Sequence, residues 1–115
     1  MIEKNDEELA FVARLVQLNG TMAQLFQKGD LSLFTEMNQT VKEMHRIQHG
    51  SESALLQAVE PECAVIYKNF DMIIAVLRTT ENGEIDAGAQ TAINRFLHNI
   101  DEAVINIATS FGLVN

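Results

Sequence analysis

The sequence has one cysteine, one proline, one tyrosine and no tryptophan, and each scarcity narrows what the chain can be. With Cys63 alone, no intrachain disulfide can form, which removes the class of small secreted domains stapled by bridges. A single proline, Pro61, leaves room for long helices on either side of it. Basic residues are also few: eight Lys and Arg against sixteen Asp and Glu give a formal net charge of −8. A chain with no basic stripe is not built to hold nucleic acid by its phosphates, so no direct nucleic-acid binding is expected. The opening residues, Met1 to Glu8, lack the basic and then apolar segments of a secretory signal. No apolar run approaches the ~20 residues of a membrane span. A cytoplasmic protein with no membrane partner is the expectation.

What the chain does have is aliphatic residues at helical spacing. Hydrophobic residues make up 47% of 115 residues, enough for a core in one domain spanning 1–115. Phe11, Leu15, Leu18, Met22 and Leu25 recur at spacings of four and three, which predicts a first helix capped by Asn5 or Asp6 and ended by Lys28-Gly29. The register runs unbroken through Gly20, and Val12, Val16, Ala23 and Phe26 widen the stripe. Asp30 caps a second helix carrying Leu31, Phe34, Met37, Val41 and Met44. His49-Gly50-Ser51 reads as a stop and a new cap, yet Leu55 and Ala58 continue the earlier register, so a break with a short extra helix and a kink around 50–59 both fit. Pro61 suits the first turn of a third long helix with Cys63, Ile66, Phe70, Ile73 and Leu77 on one stripe and Val65, Met72, Ile74 and Val76 beside it. After a loop from Thr79 containing Asn82-Gly83, Asp86 caps a last helix with Ala89, Ile93, Phe96, Ile100, Ala103 and Ile107, flanked by Leu97, Val104 and Phe111 and ended by Gly112. Short connections between long amphipathic helices predict an all-α, antiparallel (up-down-up-down) four-helix bundle.

Reactive groups are sparse. There is no glycine-rich phosphate loop, no Gly-x-Ser-x-Gly, no cysteine pair and no local His–carboxylate arrangement, so the chain is not expected to be an enzyme, nor to carry a cofactor or metal. His45 and His49 stand four apart, on one helix face, which is half of what a metal site needs. Met44 to Ser51 resembles the phosphoacceptor segment of histidine phosphotransfer domains, which are acidic helical bundles. There the histidine is followed by Leu-Lys-Gly; here the lysine is replaced and the glycine falls one residue late. That resemblance would make His45 the phosphoacceptor. Asp86-Ala87-Gly88-Ala89-Gln90 is similar to the Asp-x-x-x-Gln pattern of a class of response-regulator phosphatases, although an N-cap accounts for Asp86 equally directly. Gln27-Lys28-Gly29-Asp30-Leu31 and its flanking helices resemble the first hairpin of flagellar and type III export chaperones, which are small, acidic and helical.

These readings converge on a non-enzymatic macromolecule-binding protein, an adaptor, inhibitor or chaperone, with a protein as partner and a second copy of the chain among the candidates. Two alternatives are a phosphotransfer domain using His45 and an acidic inhibitor of a nucleic-acid enzyme. The apolar surface left over for a partner is expected on the last two long helices and the short segment before them: Leu55, Leu56, Met72, Ile74, Val76, Phe111, Leu113 and Val114.

Overall fold

The structure, a computed structural model, describes residues 6–28, 32–79 and 86–113, the side chains of 26–28 excepted. Asn5, Asp30, Leu31, Asn82, Gly83 and Val114, to which the sequence assigns caps, a core position, a loop and part of the interface, lie outside the described residues. The fold is all-α. Among the described residues there are five helices and no strand: α1 Asp6–Lys28, α2 Leu33–His49, α3 Ala54–Ala58, α4 Glu60–Thr79 and α5 Ala87–Ser110. No helix among them is long and apolar enough to cross a membrane.

Each helix forms for reasons visible in its residues. Asp6, Glu7 and Glu8 occupy the first turn of α1, where carboxylates oppose the positive end of the helix dipole. Phe11, Leu15, Leu18, Met22 and Leu25 are all buried, so the stripe read from the sequence is the core face of α1. Gly20 lies inside the helix with no interruption. Asp86 caps α5, its carboxylate accepting from the Ala89 N–H at 2.7 Å.

The chain breaks at Gly50. It ends α2, and Ser53 starts α3 by accepting from the Leu56 N–H at 3.3 Å. Four residues outside any helix, 50–53, shift the helical phase. In consequence Leu56 and Val59 are buried, whereas Ala58, which continues the register of α2, is exposed. Pro61 is the second residue of α4, in the turn whose N–H groups have no intrahelical acceptor.

The helices associate chiefly as two pairs, α1 with α2 and α4 with α5, which meet each other less extensively where α1 faces α5 and α2 faces α4. Asn99 donates to Asn69 at 3.0 Å and Asn106 to Glu62 at 3.4 Å, so α4 and α5 run in opposite directions. Phe11 near the start of α1 stacks on Phe111 at the end of α5, with ring centroids 5.9 Å apart. Ser51 donates to the Glu7 carboxylate, bringing the start of α1 beside the end of α2. Among the grooves this arrangement leaves are one between α2 and α4 and one between α1 and α5.

Candidate functional sites

The groove between α2 and α4 is polar, about 350 Å³, and is lined among others by His45, Gln48, His49, Gln57, Glu60 and Tyr67. The four-residue spacing on α2 stacks the two imidazoles face to face, with centroids 5.6 Å apart and planes 7° from parallel. Tyr67 meets His45 edge-on at 4.9 Å and donates its hydroxyl hydrogen to Gln48 Oε1 at 2.8 Å. Both histidines are exposed. Among the described residues no three His, Cys, Asp or Glu side chains lie close enough to hold a metal ion. Glu43, on the adjoining turn, is occupied by Arg46 at 2.7 Å. Beneath the groove Cys63 is fully buried, and burial pushes its thiol up to about 12. Burial also raises Tyr67, with Cys63 as its neighbour. A thiol held protonated in this way is a small apolar filler and not a nucleophile. The groove therefore offers two accessible imidazoles, the Glu60 carboxylate and a set of neutral hydrogen-bonding groups.

The groove between α1 and α5 is apolar, about 200 Å³, and lined by Leu15, Val16 and Asn19 from α1 and Val104, Ile105, Ala108 and Leu113 from the end of α5. Its rim is built by a helix stop. Gly112 takes φ +74°, the left-handed conformation that glycine adopts without strain, and the chain reverses there. The Gly112 N–H then donates to Thr109 O at 3.0 Å and the Leu113 N–H to Ala108 O at 2.8 Å. This double closure sets Leu113 back beside Ala108 at the groove edge. Val16 is 62% exposed, Ile105 50% and Leu113 46%, and Leu9, two turns before Val16 on α1, is 54% exposed.

Compared with known proteins, the chain matches no family model, no curated protein and no solved structure.

The surface residues expected from the sequence divide into three groups. Leu113 and Met72 are exposed. Leu55, Ile74 and Val76 are half-buried against the core. Leu56 and Phe111 are corrections: both lie in the core, Leu56 because the phase shift after Gly50 turns it inward and Phe111 because Phe11 stacks on it.

Val16 is the reverse case. Read as a widening of the buried stripe, it lies instead on the uncovered far side of α1. On that side Leu9, Ala13, Val16, Gly20 and Ala23 follow one another at spacings of four, three, four and three, and all are exposed. The sequence does carry a signal for this face: none of the sixteen acidic residues falls between Leu9 and Gly29. The exposed Val65 and Met72 of α4, by contrast, are interspersed with Lys68 and Asp71.

Proposed function

We propose that this chain is a non-enzymatic protein-binding module in which the four long helices form an antiparallel, up-down-up-down bundle with α3 as a corner between α2 and α4. A protein partner docks on the face made by the outer side of α1 and the end of α5. One observation carries the reading. The exposed aliphatic side chains of α1, Leu9 and Val16, fall in the longest stretch of an acidic chain that holds no carboxylate, and Ile105 and Leu113 at the end of α5 border the same groove as Val16. Monomeric surfaces usually scatter such residues singly, and a contiguous apolar patch marks an interface. Desolvating this face removes aliphatic groups from water without burying an unpaired charge. A partner's amphipathic helix laid along the groove, with apolar side chains at i, i+3 and i+7, suits its aliphatic lining.

The test is the size of the protein in a native lysate, read by size-exclusion chromatography with immunodetection. The wild type is expected to elute in an assembly larger than the 12.8 kDa chain. The double variant Val16→Asp with Ile105→Asp, both positions exposed, is expected to elute at the size of the free chain. Identical elution of the two proteins would overturn the reading.

A further inference from the structure

We infer that the occupant of the α1 face is a second copy of the chain, its α1 laid antiparallel along the first with the two-fold axis at Val16. The inference rests on the docking face proposed above and names its partner.

Gly20 is the first reason. It sits in the middle of a long helix, is exposed, and a Cβ built on it would meet nothing within 4 Å. A glycine weakens a helix interior. Nothing inside one copy of the chain requires this one, whereas close approach of another backbone would. Self-complementarity is the second reason. In the first half of the face the large side chains are Leu9 and Val16, with the half-buried Val12 beside them and Ala13 as the one small member, and in the second half stand the small Gly20 and Ala23. Antiparallel pairing about Val16 places Leu9 against the partner's Ala23, Val12 against the partner's Gly20, and Val16 against the partner's Val16. Each large residue then meets a small one everywhere except at the axis, the pattern an isologous interface needs.

Charge is the third. Two copies of net charge −8 repel, and α1 between Leu9 and Lys28 is the one long helix surface where they can meet without opposing carboxylates. Antiparallel packing also separates the acidic first turns: at a rise of about 1.5 Å per residue, Glu7 of the two copies would stand about 27 Å apart. That is well beyond the screening length of about 8 Å at physiological salt. Parallel packing would bring these turns together.

Ile105 and Leu113 extend the contact onto α5. The face is about 21 Å long from Leu9 to Ala23 and about 20 Å across two helices. The resulting footprint, about 400 Å², is below the ~800 Å² per partner of a standard interface, the size of a weak, reversible dimer.

Light scattering of the purified full chain over about 1 to 300 μM, concentrations at which a weak dimer populates, is the first measurement. A molar mass rising from one chain to two is expected. Gly20→Leu should abolish the rise while leaving the helical spectrum and melting cooperativity unchanged, because the new side chain points to open space in a single copy. Gly20→Ala should raise the melting temperature at low concentration and weaken the dimer at high concentration, two effects of opposite direction. Orientation follows from cross-linking in a Cys63→Ala background: Val16→Cys should form a disulfide with itself, while Leu9→Cys and Ala23→Cys should couple only to each other.

A strict monomer at every concentration overturns the inference, as does a dimer indifferent to Gly20→Leu or one in which Leu9→Cys couples to itself. A purified monomer that still elutes as an assembly in the native lysate would overturn the second copy as occupant and leave the docking face standing.

Discussion

Leu56 shows how much a single position can depend on its neighbours. In sequence, Leu55 and Leu56 are adjacent leucines, and the register of α2 selects Leu55. In the structure Leu56 is fully buried and Leu55 is not. Its true companions lie downstream: Leu56, Val59, Cys63, Ile66, Phe70 and Ile73 recur at three and four and belong to one buried stripe crossing from α3 into α4. Leu56→Ala should therefore cost about 2–5 kcal/mol, as a cavity in a packed core does, while Leu55→Ala should cost far less, both read by urea denaturation. Cys63 gives a second prediction at this scale. The unfolded thiol ionises near 9.0 and the folded one only near 12, so between these values the unfolded state holds fewer protons and stability falls as pH rises. Below pH 9 that contribution is fully present. The melting temperature should drop across this alkaline window, and Cys63→Ala should flatten part of the drop, with Tyr67 supplying the rest. An equal drop in the variant would assign the alkaline loss elsewhere.

The helices are largely legible in the residue order alone, because a helix buried along one side writes its period into the sequence. The stripe on α1 from Phe11 to Leu25 is the plainest instance. Ends with side-chain caps are legible too. Asp86 is one, and Asp86→Ala should cost about 1 kcal/mol, since the Ala89 N–H would lose its acceptor. A thermal melt of that variant checks this. The end of α2 is not legible to the same degree. Gly50 has φ −88°, a conformation open to any residue, so its identity alone does not force a stop there. The break comes from Ser51 and Ser53, whose side chains offer the backbone local hydrogen bonds: the Ser53 N–H donates to Ser51 Oγ at 3.0 Å, and Ser53 Oγ caps α3. Two serines flanking a glutamate are the signal, and the apolar register running past them conceals it.

At the scale of the whole molecule, the order of residues does not reveal how many neighbours each helix has. Apolar residues on α1 cover nearly all of its sides, and their spacing cannot distinguish a helix surrounded by partners from one with a bare face. Packing resolves it: α1 lies on α2 and touches α5 over a shorter length, leaving Leu9, Val16 and Ala23 uncovered. Combined with the charge map, the bare face becomes informative. Carboxylates occur along α2, α4 and α5, and on α1 they stop at Glu8. Carboxylates are thus spread over most of the chain and missing from one side, the contrast on which the proposed docking face rests. The apolar surplus expected on the last two long helices lies more on the first and the last, which shifts attention from Met72 to Val16 and Ile105.

The central claim, that this face is occupied by protein, is tested most directly by placing a photo-cross-linking amino acid at Val16, at Ile105 and, as a control on the exposed far side of α2, at Lys42, then irradiating living cells. Protein adducts at Val16 and Ile105 and none at Lys42 are expected. Adducts confined to Lys42, or equally frequent at all three positions, would contradict the account.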